Sequence, residues 1–334
     1  MSRITILGAG SWGTGLAVVL ANSRRKHQIR LWARDPELAQ TIETRRENAK
    51  YLPGVQIPPC AQATAKLEEA LRDAQMVVCA LPSAHTRAVL AEALLEVPRE
   101  ASLVSATKGL EQATQFRMSQ VISQVINARF VPRVAVLSGP SFAREAAAGQ
   151  PTAVVIASED TALAAYAQEE FSGPAFRLYT NDDVLGVELA GAMKNVMAIA
   201  AGACQGLGLG SNSLAALITR GLAEMTRLAV ALGGKRETLS GLAGMGDLIL
   251  TCYGKLSRNR HVGFELGQGR SLEEVLAGLK MVAEGVGTTT ALLALARDNH
   301  IELPITQQVH SLLHLGNPPR DAIRAIMERP LRRE

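Results

Sequence analysis

The sequence is short of cysteine. Its four residues, Cys60, Cys79, Cys204 and Cys252, include no CxxC pair. That argues against a disulfide framework or a zinc site and fits a reducing compartment. Histidine is nearly as sparse, at six. Only His310 and His314 share a helical metal-ligand spacing; with no HExxH and no nearby acid, no metal is expected. No apolar run is expected to span a bilayer, because Lys194 interrupts the best candidate. No signal-peptide pattern precedes the first apolar run, so the expected address is the cytoplasm. A large charge imbalance is missing too: the net charge is +4, with a pI near 9.0. So mild a balance suits a small anionic ligand and leaves no nucleic-acid footprint. Internal repeats and low-complexity segments are also absent. What remains is a chain 47% hydrophobic and 20% charged, which should fold and stay soluble. Its 334 residues suit two domains.

The first recognisable device is nucleotide-binding. Arg3–Leu7 is a short apolar run that feeds into Gly8-Ala9-Gly10-Ser11-Trp12-Gly13, and a helical pattern through Leu16, Val19 and Leu20 follows. This is G-x-G-x-x-G in its required setting, strand before and helix after. The glycines allow the tight turn and close approach of a pyrophosphate, which the helix N-terminus then holds. A second strand, Gln28–Trp32, ends in Ala33-Arg34-Asp35. An acid at this tip would bind the ribose hydroxyls, whereas an Arg would accept a 2′-phosphate. Asp35 precedes Pro36 and reads as a helix N-cap, so Arg34 is the better ribose-side residue. That tilts the cofactor toward NADP(H) without excluding NAD(H).

Strands and helices then alternate. Thr44–Thr64 carries three prolines and no clear period, so it reads as a long loop. Helices are expected over Lys66–Ala74, Ala84–Leu94 and Met118–Ala128. Strands are expected over Met76–Leu81, Ser102–Ala106, Val134–Leu137, Ala153–Ala157 and Phe176–Tyr179. The strand at 102–106 delivers Lys108 to the crevice where ligands bind in open α/β sheets. The strand at 134–137 opens into Ser138-Gly139-Pro140-Ser141, which is not a G-x-S-x-G elbow. The β signal stops at Asp183, which predicts a sheet domain over residues 1–182 and a helical domain over 183–334. Helical periods run through Leu214–Leu232, Ser271–Leu279, Thr288–Asn299 and Ile305–Leu315. Val187–Gly202 is also helical, with Leu189, Met193, Val196 and Ala200 as a core stripe and Lys194 on another face. A glycine-rich loop, Gly241–Gly246, leads to Asp247 but lacks a P-loop's Gly-Lys-Ser/Thr ending. Ser257-Arg258-Asn259-Arg260 begins a helix with Ser257 as its N-cap, and Arg beside free helical N–H groups makes a phosphate site.

Eight blocks in order carry a resemblance that covers essentially the whole chain. They are GAGSWGT at Gly8, TKGLE around Lys108, SGPSFAREA around Ser141, ELAGAMKNVMAIAAG around Lys194, ITRGLAEMTRL from Ile218, GLAGMGDLILTC ending at Cys252, LSRNR around Arg258 and VAEGVGTT around Glu284. The chain resembles the bacterial NAD(P)-dependent glycerol-3-phosphate dehydrogenases. The resemblance implies an N-terminal Rossmann-like, mainly parallel α/β sheet and an all-α C-terminal domain like that of 6-phosphogluconate dehydrogenases. It implies NAD(P)H-dependent reduction of dihydroxyacetone phosphate to sn-glycerol 3-phosphate, for glycerophospholipid synthesis, by a homodimer. On the cofactor side it maps Ser11, Trp12, Arg34, Lys108, Ala143, Arg258, Val282 and Glu284, alongside the glycines Gly8, Gly10 and Gly13. On the substrate side it maps Lys108, Gly139, Ser141, Lys194, Asp247, Ser257, Arg258 and Asn259. Gly287 departs from the pattern, since many relatives carry Arg there.

Ketone reduction needs a proton donor and a partner for the developing oxyanion. None of the eight blocks contains a histidine. Lys194 is therefore the expected acid, Lys108 the electrostatic partner and Asp247 the group that orients Lys194. Two ammonium groups in one pocket would lower each other's pKa. Asp247 could instead be a helix N-cap after the glycine loop. Two other readings stay open: a related hydroxyacid or ketopantoate dehydrogenase, and a non-catalytic NADP(H) sensor.

Overall fold

The computed structural model describes residues 1–279 and 281–330. The chain forms two compact units. The first comprises Met1–Lys108 and Phe116–Glu188; the second takes Gly109–Gln115 and everything from Leu189 onward. A boundary at 182/183 thus differs in two places: Asp183–Glu188 stay with the first unit, and Gly109–Gln115 crosses to the second.

The first unit is built on one eight-stranded sheet in the order β3-β2-β1-β4-β5-β6-β7-β8. The strands are β1 (Ser2–Leu7), β2 (His27–Trp32), β3 (Ala61–Thr64), β4 (Met76–Cys79), β5 (Ser102–Ser105), β6 (Arg133–Ser138), β7 (Thr152–Ala157) and β8 (Phe176–Asn181). Pairing is parallel from β3 through β6, antiparallel between β6 and β7, and parallel again between β7 and β8. The inner strands β4 (MVVC) and β5 (SLVS) are buried at every position, as expected for parallel strands covered on both faces. Alternate residues feed opposite cores. Ile4, Ile6, Met76 and Val78 pack with Leu16 and Leu20 of α1 (Ser11–Ala21) and with Phe171 of α7 (Thr161–Phe171). Leu7, Val77, Cys79 and Leu103 pack with Leu90 of α4 (Ser83–Ala93) and Ile122 of α5 (Met118–Ile126). Burying each large side chain fully is worth about 1.5–3 kcal/mol. α2 (Pro36–Arg45), α3 (Leu67–Leu71) and α6 (Ala143–Ala147) complete this unit.

The segment expected to be a structureless loop over 44–64 instead begins as the last turn of α2 and ends as edge strand β3, with an isolated bridge between Glu47 and Gln56. The sequence AQAT of β3 has no apolar alternation to announce it.

Among the described residues from Leu189 onward, the second unit's regular elements are all helical: α8 (Val184–Gly206, which starts in the first unit), α9 (Ser211–Ala231), α10 (Arg236–Ser240), α11 (Asp247–Tyr253), α12 (Arg258–Gly267), α13 (Leu272–Ala277), α14 (Glu284–Asp298), α15 (Pro304–His314) and α16 (Pro319–Met327). The helix through Lys194 is continuous, as its period predicts, but, against expectation, Lys194 does not make its apolar run too short. Its 23 residues are long and apolar enough to cross a membrane, but 83% of the most apolar window is buried inside the protein, which marks a core helix. α8 meets α12 through glycines. A Cβ at Gly202 would lie 1.9 Å from the Arg260 carbonyl oxygen, and one at Gly263 would lie 1.9 Å from that of Ile199. Gly206 and Gly267 are as crowded, with Cβ positions 2.2 Å from Phe264 O and 2.6 Å from Ala203 O. Backbone therefore packs on backbone, with no room for a side chain between the helices. The Gly241–Gly246 stretch is not an open loop: Leu242–Gly246 winds as a π-helical turn that runs directly into α11.

Candidate active site

At the end of β1 the backbone turns through Gly8 at φ +113°, and a Cβ there would strike the Ala80 carbonyl oxygen at 2.7 Å. Gly13 is equally restricted, 1.9 Å from the Gly8 carbonyl oxygen. Gly10 differs: a Cβ there would meet nothing within 4 Å. It borders open space at the start of α1, whose N-terminus has no side-chain cap. Ser11 opens that helix, and the indole N–H of Trp12 is buried without a hydrogen-bond partner. A bare helix N-terminus beside a glycine with free space fits a dinucleotide pyrophosphate.

At the tip of β2, Asp35 caps α2: its Oδ1 accepts from Glu37 N at 3.0 Å and Leu38 N at 3.4 Å. Arg34 beside it is exposed. After β5, Thr107 Oγ1 donates to Leu81 O at 2.8 Å and fixes the turn that carries Lys108. The half-buried Lys108 Nζ donates to Gly139 O at 2.8 Å and lies 3.5 Å from Ser141 Oγ, which also donates to Gly139 O at 2.8 Å. Gly139 supports this with φ +124° and a Cβ position only 3.0 Å from Val154 Cα. Lys108, Gly139 and Ser141 thus form one cluster. Ala143 opens α6 and packs on α1, where a Cβ at Gly15 would lie 3.1 Å from the Ala143 carbonyl.

The second unit holds a different set. Lys194 is 7% exposed, and its Nζ reaches Asp247 Oδ1 at 2.5 Å and Thr251 Oγ1 at 2.9 Å. Thr251 donates its own proton to the Asp247 carbonyl at 2.6 Å, which leaves its oxygen free to accept from Lys194. The π-helical turn leads directly into Asp247, and it brings Gly244 so close to α10 that a Cβ there would lie 2.0 Å from Leu239 O. Gly246, not Asp247, is the N-cap of α11, and the Asp247 carboxylate takes the Lys194 ammonium. Cys252 lies beside this pair, but burial pushes its thiol up to about 12, and it stays neutral.

Ser257 caps α12 by accepting from Arg260 N at 3.2 Å. Arg258 does not hold its whole fork free: its Nη1 donates to Val282 O at 2.6 Å. Burial lowers the Arg258 pKa and the Glu284 carboxylate pulls it back up. Asn259 Oδ1 accepts from Gly285 N at 2.9 Å, which joins α12 to the first turn of α14, where Glu284 is the first residue. A Cβ at Gly285 would come within 2.8 Å of Asn195 O. One cluster therefore contains Arg258, Asn259, Val282, Glu284 and the backbone of Asn195. Gly287 borders Gln112 of the crossing segment, 2.5 Å from its Nε2 if a Cβ were present. Thr251 and Asn195 were not singled out from the sequence. Thr251 follows Asp247 by one helical turn, a signal readable only once the glycine stretch is known to lead into a helix.

Residues 3–164 match the family described as NAD-dependent glycerol-3-phosphate dehydrogenase N-terminus, and residues 183–324 match its C-terminus. The chain belongs to this glycerol-3-phosphate dehydrogenase family. A relative from Koribacter versatilis (strain Ellin345), described as an NAD(P)+ glycerol-3-phosphate dehydrogenase, is 54% identical over 331 residues, covering 99% of this chain and 98% of the relative. A crystal structure described as the Coxiella burnetii glycerol-3-phosphate dehydrogenase superposes with a TM-score of 0.93 at 40% identity, covering 98% of this chain and 99% of that one. A ketopantoate reductase-family structure from Ralstonia eutropha shares the fold alone, with a TM-score of 0.57 at 17% identity.

Proposed function

We propose that this protein catalyses the reversible NAD(P)H-dependent reduction of dihydroxyacetone phosphate to sn-glycerol 3-phosphate, supplying glycerophospholipid synthesis in the cytoplasm as a homodimer. The observation that carries the mechanism is the buried Lys194–Asp247 ion pair, closed by Thr251. A buried lysine is rare unless paired, and an ammonium paired with a carboxylate has a proton to give. The nicotinamide, when bound, supplies the hydride. Lys194 Nζ holds the proton for the carbonyl oxygen, and Asp247 and Thr251 fix its direction. Lys108, steadied by the Gly139 carbonyl, supplies positive charge for the developing alkoxide. Ser257, Arg258 and Asn259 hold the substrate phosphate at the start of α12, Arg258 through the N–H groups that Val282 leaves available. Gly8, Gly10, Ser11, Trp12, Gly13 and Arg34 hold the dinucleotide, with Ala143, Val282 and Glu284 contributing further contacts.

The decisive assay is loss of nicotinamide absorbance with dihydroxyacetone phosphate. Turnover with that substrate, and indifference to glyoxylate and ketopantoate, are the expected results. Turnover of ketopantoate instead would make this a hydroxyacid-type enzyme. Cofactor binding without any turnover would make it a sensor. Sedimentation equilibrium tests the homodimer, and a single monomeric species would remove it.

A further inference from the structure

We infer that Lys50, together with Arg34, reads the 2′-phosphate of NADP(H), and that the segment from Arg46 to Pro58 is built to present it; this rests on the proposed dehydrogenase reading. The tip of the second strand in a dinucleotide fold faces the adenosine ribose. Arg34 and Asp35 occupy that tip. An acid there would ordinarily take the ribose hydroxyls of NAD. Asp35 is committed elsewhere. Its Oδ1 caps α2, and its Oδ2 lies 3.7 Å from Lys50 Nζ. Lys50 therefore adds a second cation beside Arg34 and offsets the carboxylate that would otherwise repel a phosphate.

The placement of Lys50 is not that of a free loop residue. Asn48, fully buried, donates through Nδ2 to the Ala9 carbonyl of the glycine turn at 2.8 Å and to Thr14 Oγ1 of α1 at 2.8 Å. Its Oδ1 accepts from Tyr51 N at 3.2 Å, so the backbone on either side of Lys50 is tied to the nucleotide turn. Arg46 adopts φ +54° and spends its guanidinium on the carbonyls of Ile57, Pro58 and Ala61, closing the segment on itself. Glu47 accepts from Gly54 N at 2.8 Å. Lys50 then extends from this frame with its ammonium 5.3 Å from the Tyr51 ring centre and its side chain half exposed.

The test is calorimetric binding of NADPH, NADH, 2′,5′-ADP and 5′-ADP to the wild type, Lys50→Gln and Asp35→Asn. Lys50→Gln should weaken NADPH and 2′,5′-ADP by roughly tenfold, the size of one charge-assisted contact, and leave NADH and 5′-ADP unchanged. Asp35→Asn keeps an N-capping side chain and removes the competing charge, so it should tighten the two 2′-phosphate ligands. Equal losses for all four ligands, or a wild type that binds 2′,5′-ADP no better than 5′-ADP, would overturn the inference. Turnover of dihydroxyacetone phosphate by the wild type is measured separately. A failure there would strike the reaction, while the binding ratios would still report on Lys50.

Discussion

A lysine on a helix is ordinarily a solvated charge, and Lys194 departs from that because the helix around it is packed on nearly every side. With 7% exposure it cannot satisfy its ammonium with bulk water, and Asp247 and Thr251 take that place. Lys194→Ala should therefore lose kcat by about 10²–10⁴-fold, the range for a general acid, with NADPH affinity retained. Near wild-type kcat would remove Lys194 from proton transfer. The variant also takes the buried Asp247 carboxylate's cationic partner away, so Lys194→Ala/Asp247→Ala serves as the folding control. Arg258 is a different kind of residue. One arm of its fork already holds Val282 O while separate nitrogens remain for an anion, whereas a lysine offers only one nitrogen on a flexible stem for both. Arg258→Lys should raise KM for dihydroxyacetone phosphate on the order of tenfold, for one lost charge-assisted bond. Phosphate-free dihydroxyacetone should be reduced equally poorly by wild type and variant. Equal losses on both substrates would move Arg258 from the phosphate to the cofactor or the frame. Lys194 and Asp247 were legible as candidates because charge is scarce in their apolar stretches, and Arg258 because it follows an N-capping Ser257 at a helix start. Thr251 and Asn195 were not, because a Thr and an Asn inside helices have many ordinary reasons to be there.

At the scale of elements, the glycines of α8 and α12 set how Lys194 and the start of α12 are held. Both helices carry glycines four apart, Gly202 with Gly206 and Gly263 with Gly267, and each pair faces the other helix's backbone. Gly263→Ala places a methyl 1.9 Å from Ile199 O, so the helices must separate. The expected cost is about 1–3 kcal/mol, as for overpacking, with a raised KM for dihydroxyacetone phosphate because Arg258 and Asn259 move with α12. Gly210→Ala, where a Cβ meets nothing within 4 Å, is the control and should cost far less in urea unfolding. An equal effect of both would show that the crossing is not close-packed in solution. These glycines were visible in the sequence only as breaks in apolar periodicity, since a close helix crossing needs a partner that lies about sixty residues away. The same limit hid the π-helical turn, read as a loop because Gly241–Gly246 is glycine-rich. It hid β3 too, four residues without alternation. The buried runs of β1, β4, β5 and β7 were legible because a parallel sheet covered on both faces demands continuous apolar residues.

At the scale of the whole molecule, three buried groups respond to acid in opposing directions. Glu188 in the first unit accepts from Arg117 Nη1 at 2.7 Å and Ser119 N at 2.8 Å, and Glu224 in the second accepts from Ile305 N at 2.8 Å and Thr306 N at 2.9 Å. Burial pushes both carboxyls above their ordinary value of 4.5 despite these bonds. Their folded forms hold protons more tightly than the unfolded chain does, so they favour the fold more as pH falls toward 4.5. His27 works the other way. It opens β2, is 3% exposed, and its Nδ1 lies 3.4 Å from Glu170 Oε2. Its Nε2 contacts Ser23 Oγ at 2.9 Å and the Glu170 carbonyl at 3.1 Å. Burial pulls its pKa below 6.5, and the positive charges of Arg25 and the N-terminus add to that, against the raising effect of Glu170. The unfolded chain therefore takes up a proton near pH 6.5 that the folded protein resists. The stability contributed by neutral His27 is complete above 6.5 and is lost as pH falls from there through its lower folded value. Thermal melts of wild type and His27→Gln, taken between about pH 7.5 and pH 5.5, isolate this contribution. The variant should melt lower at the upper pH, having lost the imidazole's bonds, and should lose less of its Tm on acidification than the wild type does. Parallel curves would show that His27 titrates alike in the folded and unfolded chain, and that the acid response belongs to other groups.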